Sequence, residues 1–327
     1  MTTAQAVVVS GPGVVSVAEV GVPELGPNDV LIRTLFSGVS TGTDKWVMQG
    51  RFTWRSLQFP LVPGYQRAGI VEAVGGDVTA VVVGQQVVAT ESSGFGGALA
   101  AWGAHAAHAV TRVEEVYDAT GVPPERASLF VSGQVGYNAA SRVIERDENR
   151  VVVYGDGIIG ASGALAARAR GFDVLLVGRH TERLAPLAAL GILTAHSGAG
   201  SAAALRDWRP TAVIDTVQNE AAFDEYVDAL PSATGQIVYS GHSPDGATAW
   251  ADMERLQKRE LTASFVSGWE RARIEGTLHL MRSGAMPLEL LVGTPARTLD
   301  GIAATTTEVA EGSLAPVAAV LDWRGCH

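Results

Sequence analysis

The sequence predicts an α/β protein in which a doubly wound parallel sheet is inserted in a β-rich, barrel-type domain. Three observations carry this. Residues 1 to about 115 are dense in Val, Gly and Thr, with short apolar runs broken by turn residues. At Val151 the chain reads as a strand, then Gly155-Asp156-Gly157-Ile158-Ile159-Gly160, then an alanine-rich helix closed by Gly171, then a second strand. From Pro123 onward helices and strands alternate, the pattern of a parallel sheet covered on both faces.

Taken in order, residues 6–9, 14–20, 30–36, 68–74 and 86–89 read as strands, separated by turns such as Gly11-Pro12-Gly13, Gly26-Pro27-Asn28-Asp29 and Gly75-Gly76-Asp77. Pro123-Pro124-Glu125 opens a helix running through residues 128–130, and a second helix is expected over 137–145. Strands follow at 151–154, 174–177, 212–216, 236–240 and 261–266. After about residue 285 the texture is mixed β, and 316–323 reads as a last strand returning to the first domain. The predicted domains are therefore 1–118, 119–285 and a return segment, 286–327.

Composition narrows the function. With 47% hydrophobic and 18% charged residues, 327 residues suffice for two cores. A net charge of −10 with dispersed Lys and Arg argues against nucleic-acid and anionic-membrane partners. No segment is apolar and long enough to span a bilayer, and the start lacks the build of a signal peptide, so a cytoplasmic location is expected. The single cysteine, Cys326, excludes an internal disulfide and a multi-cysteine zinc site.

The Gly155–Gly160 motif meets the needs of a dinucleotide pyrophosphate: a tight turn at Gly155, bare backbone at Gly157, close helix–strand packing at Gly160, and helix N–H groups facing the phosphates from Ile158 and Ile159, with Asp156 inside the loop. A β-rich domain interrupted by such a nucleotide fold resembles the medium-chain dehydrogenase/reductase superfamily, whose two parts are a GroES-like catalytic domain and a Rossmann domain. The resemblance rests also on Phe36-Ser37-Gly38-Val39-Ser40-Thr41-Gly42-Thr43-Asp44, on Pro60-Leu61-Val62-Pro63-Gly64-Tyr65-Gln66-Arg67-Ala68-Gly69, and on the turn at Val74-Gly75. It covers essentially the whole chain. Within the superfamily, the Ser-Thr-Gly-Thr-Asp and Pro-Gly-Tyr wording most resembles the branch containing bacteriochlorophyllide (hydroxyethyl-chlorophyllide) dehydrogenase.

Zinc enzymes of this superfamily carry a Cys before the Gly-Thr-Asp segment, a His-Glu pair after the Pro-Gly turn, and a Cys or acidic residue near the start of the Rossmann domain. Those places fall here on Ser40 or Thr41, on Tyr65-Gln66, and near Ser132. Hydroxyls and amides are poor zinc ligands, so no zinc is expected. The cysteine-rich structural lobe is absent too, since residues 91–110 hold no cysteine. His105 and His108 would chelate only on a helix; on the strand the resemblance implies they face opposite ways.

Without a metal, another group must stabilise or protonate the atom whose charge changes as hydride moves. The resemblance implies a cleft lined by Ser40, Thr41, Thr43, Asp44 and Tyr65. The Tyr65 phenol either donates where the Lewis acid would have acted or fills the space the metal left. Thr43 matches the hydroxyl that relays the alcohol proton in zinc relatives, and Asp44 is expected to orient its neighbours. Trp46, Phe52, Trp54 and Phe59 either serve an apolar, cyclic substrate or pack a core.

The second Rossmann strand ends Val177-Gly178-Arg179-His180, with glycine where NAD enzymes place an acid on the ribose 2′-OH. Arg179 suits a 2′-phosphate, so NADP(H) is expected over NAD(H), although the resembled branch implies NAD. Later strand ends add Thr216, Ser240, Gly241 and Val266 as cofactor contacts; His242 could also reach the cleft, and Tyr137, at the entry to the Rossmann domain, is a weaker candidate for the substrate side. The expected protein is a zinc-independent, NADP(H)-preferring oxidoreductase acting on a carbonyl or alcohol of an apolar small molecule, and a homodimer. A reductase of a polarised C=C or C=N bond, and an NADPH-binding sensor without turnover, stand as alternatives.

Overall fold

The computed structural model describes residues 2–54, 56–198, 201–241, 251–314 and 316–326. The chain forms two compact units, Met1–Val131 with Leu291–His327, and Ser132–Leu290.

The first unit opens with β1 (Thr3–Gly11), β2 (Val14–Gly21), β3 (Asp29–Ser40), α1 (Thr43–Met48), β4 (Leu61–Val62), β5 (Arg67–Val74), β6 (Gln86–Ala89), β7 (Leu99–Ala100), β8 (His108–Arg112), β9 (Val116–Asp118) and α2 (Pro124–Ala127). One sheet has the order β2-β1-β4-β7. In β3, Val30, Ile32, Thr34 and Phe36 are buried at alternate positions, the period-2 pattern of a strand with one covered face. From Ser37 to Val39 burial becomes continuous, and Gly38 is required there: a Cβ would lie 2.4 Å from the Ser128 carbonyl just past α2. That contact keeps α2 with the first unit, beyond the predicted boundary at 118.

The second unit is built on α3 (Phe130–Ser141), β10 (Arg150–Tyr154), α4 (Ile158–Ala169), β11 (Asp173–Gly178), α5 (Thr181–Ala189), β12 (Leu193–His196), α6 (Ser201–Trp208), β13 (Ala212–Asp215), α7 (Glu220–Tyr226), β14 (Gln236–Ser240), α8 (Met253–Lys258), β15 (Thr262–Val266) and α9 (Arg271–Arg282). Its six parallel strands run β12-β11-β10-β13-β14-β15, and the order reverses between β10 and β13. An open sheet of this kind binds ligands beyond the carboxyl ends of the strands at that reversal. The chain then returns to the first unit through α10 (Leu299–Glu311) and β16 (Ala318–Asp322). The returning strand pairs antiparallel with β3, Ala318 opposite Ser40, completing a sheet of order β16-β3-β5-β6-β9.

Several elements differ from expectation: α1, β4, β7 and β9 were not anticipated, and the helix opened by Pro123 and Pro124 ends at Ala127 rather than running through 128–130. The segment expected to be mixed β holds α10: Ile302, Thr306, Val309 and Ala310 are buried at helical spacing, Thr298 accepts from the Gly301 N–H, and the Thr306 and Thr307 hydroxyls donate to carbonyls four residues back. The helix expected at 137–145 starts at Phe130 and ends at Ser141. Gly133 and Gly136 lie inside it because neighbours approach closely; a Cβ on Gly136 would meet Ser162 Oγ at 2.2 Å. Strand β12 was not anticipated, since its Leu-Thr-Ala-His has no buried side chain to mark it.

Candidate functional site

The glycine motif joins β10 to α4. Gly155 adopts φ +114°, and a Cβ on it would lie 2.2 Å from Thr216 Oγ1, itself bonded to the Tyr154 carbonyl. A Cβ on Gly160 would lie 1.9 Å from the Gly155 carbonyl oxygen. Gly157 differs: a Cβ there meets nothing within 4 Å, and as N-cap it offers α4 no side-chain acceptor. The first N–H groups of α4, on buried Ile158 and half-buried Ile159, thus sit beside open space, which fits a dinucleotide pyrophosphate.

At the end of β11 the structure adds a feature the sequence reading lacked. The loop residue Asp156 delivers a carboxylate there: its Oδ2 accepts from the backbone N–H of Arg179 (2.7 Å) and His180 (2.7 Å) and meets His180 Nδ1 at 2.9 Å. Burial pushes the Asp156 pKa up, but the His180 and Arg179 hydrogen bonds outweigh it and hold the carboxyl below its ordinary range. Arg183 Nη1 stands 3.9 Å from its other oxygen. Gly178 is buried against this side chain, whereas Arg179 is exposed and forms no ion pair among the described residues. Asp173 and Glu182 are exposed.

At the remaining strand ends, Ser240 is fully buried, its hydroxyl without a partner among the described residues, and its carbonyl, like that of Gly241, accepts from Gln218 Nε2 at 2.9 and 3.3 Å respectively. Gln218, whose φ is +55°, was not singled out by sequence. Val266 is buried opposite Ser240, while its neighbour Phe265 is 77% exposed. Tyr137 packs its ring against Gly276. His242 lies outside the described residues.

In the first unit, the Ser40 hydroxyl accepts from the Gly42 and Thr43 N–H groups, and Asp44 Oδ2 accepts from the Ser40 N–H at 2.7 Å, reciprocal bonds that tie the turn leading into α1. The Thr41 hydroxyl donates to the Val317 carbonyl. Thr43 alone of these three keeps a hydroxyl that is half-exposed and without a partner among the described residues.

Asp44 is fully buried, and behind it lies His105, also fully buried, with Nε2 3.7 Å from Asp44 Oδ2. His105 Nδ1 meets Ser37 Oγ at 2.9 Å, and the Trp323 indole donates to the same oxygen at 2.9 Å. Because indole N–H is only a donor, the Ser37 proton is available to His105 Nδ1. Gly64 covers the ring; a Cβ there would lie 2.6 Å from it. Sequence reasoning placed His105 among ordinary histidines and gave no sign of Ser37 or Trp323.

Tyr65 is only 7% exposed and stands edge-to-face with Trp102 (5.6 Å), which stands likewise against Phe52 (5.5 Å), and Phe52 contacts Trp54 (6.2 Å). Trp102 was missed by sequence; its φ of +65° is uncommon for a bulky residue. Trp46 and Phe59 pack on the core around Val47 and Met48. Gln66 is fully buried, and its carbonyl accepts from the Gly38 N–H. Buried Arg67 donates to the carbonyls of Gly103 and Glu91 and to Thr111 Oγ1, tying these three segments together. Burial pulls its pKa down to about 9, which leaves it charged at neutral pH.

A catalytic zinc does not fit these residues. Ser40 and Thr41 are engaged by backbone, and Tyr65 and Gln66 offer phenol and amide. His108 faces Glu72 (3.2 Å) rather than His105. Among the described residues no group of three or more His, Cys, Asp or Glu could hold a metal, and no helix is long and apolar enough to cross a membrane.

Residues 26–121 match the alcohol dehydrogenase GroES-like domain family. The 2-desacetyl-2-hydroxyethyl bacteriochlorophyllide A dehydrogenase of Rhodobacter capsulatus is 26% identical over 293 residues, 88% of each chain. Benzyl alcohol dehydrogenase of Acinetobacter calcoaceticus superposes with a TM-score of 0.83 over 98% of this chain and 99% of its own, at 20% identity. A protein of Sinorhizobium meliloti described as a zinc-binding dehydrogenase, bound to NADP, superposes at 0.82 over 98% and 100%, at 19% identity.

Proposed function

We propose that the chain is an oxidoreductase of the medium-chain dehydrogenase/reductase type, the reading its fold and relatives support, and that it works without zinc, prefers NADP(H), and acts on a carbonyl or alcohol of an apolar small molecule. The observation that carries the cofactor assignment is Arg179 at the end of β11, exposed and without an ion pair among the described residues, beside a glycine loop that leaves open space at Gly157. A guanidinium there matches a 2′-phosphate in charge and fork geometry.

A nicotinamide held by the glycine loop would supply or accept the hydride. The chain's part is to hold the substrate and manage the proton on its oxygen. Thr43 is the hydroxyl free to do so, on a helix start fixed by Ser40 and Asp44. Tyr65 offers a second hydroxyl, and its neighbours Trp102, Phe52 and Trp54 form an aromatic group suited to an apolar substrate. We also propose a homodimer: β15 is the edge strand of the parallel sheet and exposes Phe265, and an unpaired edge is a template for a second copy. Light scattering that gives the monomer mass would overturn it.

NADPH absorbance followed against ketones, enones and cyclic imines tests the function. Oxidation with ketones is expected; oxidation confined to enones or imines would reassign the reaction to C=C or C=N reduction. Tight NADPH binding without turnover on any of them would overturn the enzyme reading in favour of a sensor. Arg179→Ala is expected to weaken NADP(H) binding about tenfold or more while sparing NAD(H); equal losses would sink the 2′-phosphate assignment.

A further inference from the structure

We propose that Asp156 is a positioning residue for cofactor choice: its carboxylate, delivered from the glycine loop, clamps the turn after β11 so that Arg179 and His180 face a 2′-phosphate. This rests on the NADP(H) reading above and assigns the specificity to a residue pair, Asp156 and Gly178, rather than to Arg179 alone.

Two independent observations support it. First, Gly178 lies within a strand and is not among the positive-φ glycines, so its backbone places no demand for glycine. What forbids a side chain is Asp156: a Cβ on Gly178 would lie 2.5 Å from Asp156 Cβ and 2.7 Å from Oδ2. The loop carboxylate therefore fills the place of a strand-end side chain, where an NAD enzyme puts its acid.

Second, this carboxylate is turned inward. A ribose-holding acid needs lone pairs to accept from the 2′-OH. Asp156 Oδ2 is met by three nitrogens at 2.7, 2.7 and 2.9 Å. The other oxygen faces Arg183 at 3.9 Å, and the side chain is 9% exposed. The bonds act instead on the residues that carry them. With its backbone N–H pinned, the Arg179 side chain is left exposed, and with Nδ1 bound to Asp156 the His180 ring turns Nε2 away from the carboxylate. One inward anion thus organises a cationic turn, a surface that selects phosphate over a diol.

The probes are 2′,5′-ADP and 5′-AMP, which differ only by the 2′-phosphate, with NADP+ and NAD+ in parallel, titrated calorimetrically. The wild type is expected to favour 2′,5′-ADP. Asp156→Ala is expected to lose at least about tenfold of that preference with little change for 5′-AMP. Asp156→Asn, which keeps an acceptor for the backbone N–H groups, is expected to retain more of it. A wild type with no preference would bring down the NADP(H) reading and this inference together. A wild-type preference that survives in Asp156→Ala would overturn the inference alone. Weaker NAD+ and tighter NADP+ binding in Asp156→Ala would show a ribose-holding carboxylate, the opposite role. Should Asp156→Ala fail to fold, Gly178→Ala tests the same contact, because its Cβ displaces the carboxylate; an unchanged preference there overturns the proposal too.

Discussion

The glycine loop of the second unit and the Ser37–Asp44–His105 cluster of the first solve opposite problems. The loop works by leaving side chains out: Gly155 and Gly160 let backbone approach backbone, and Gly157 leaves free space beside the first N–H groups of α4. The cluster works by filling space, turning Trp323, Ser37, His105 and Asp44 on one another in a fully buried interior. One region is where we propose that a ligand binds. The other is a support, holding the helix that carries Thr43. That support is a rigid floor made of hydrogen bonds.

The sharpest way to break this comparison is inside the loop itself. Gly160→Ala puts a Cβ 1.9 Å from the Gly155 carbonyl oxygen, so backbone must move. Overpacking of this kind costs about 3 kcal/mol, and urea unfolding is expected to show it together with lost dinucleotide binding. Gly157→Ala meets no atom within 4 Å, so stability is expected to hold while the pyrophosphate is kept off the helix N-terminus. If the two variants behave alike, the distinction between packing and binding glycines fails.

How far each region could be read from sequence follows from how local its contacts are. Strand, glycine motif and helix lie within about twenty consecutive residues, and the parallel sheet with its returning β16 was readable on the same grounds. Trp323 and Ser37 are 286 residues apart, and His105 comes from a third segment. No spacing rule joins them. Asp156 is the instructive case: it was readable as a loop residue, yet its reach to the end of β11 depends on Gly178 having no side chain, a fact of two strands side by side. The segment after about residue 285 read as mixed β; Thr306 and Thr307 bond their own helix, which only the fold of α10 reveals.

In the first unit, Tyr65→Phe asks whether the support also does chemistry. If its phenol handles the substrate proton, turnover is expected to fall about 100-fold with cofactor affinity unchanged. Unchanged turnover would leave Tyr65 as packing against Trp102 and Thr43 as the hydroxyl that matters. Asp44→Ala is expected to cost about 2 kcal/mol in thermal unfolding, since it removes the acceptor from the Ser40 N–H and leaves His105 Nε2 buried without a carboxylate. A smaller loss than for an exposed control such as Asp300→Ala would mean the cluster supports nothing.

The smallest effect expected is acid stability at the loop. Asp156 has its pKa lowered in the folded chain: burial opposes ionisation, but the His180 and Arg179 hydrogen bonds prevail. A carboxyl depressed in this way adds stability at pH values above its unfolded pKa of about 3.9, and that contribution is lost as pH falls through the lower, folded value. Below both values the folded and unfolded chains hold this proton alike. The stability gap between wild type and Asp156→Asn, read from denaturant midpoints, is therefore expected to be largest near neutral pH and to shrink as pH drops below about 4. A gap that stays constant to about pH 3 would mean that shape, rather than charge, is what Asp156 brings to the turn. The His180 ring would then be held by position alone, and the contrast between an open loop and a tied interior would soften, because the loop too would be fixed chiefly by packing.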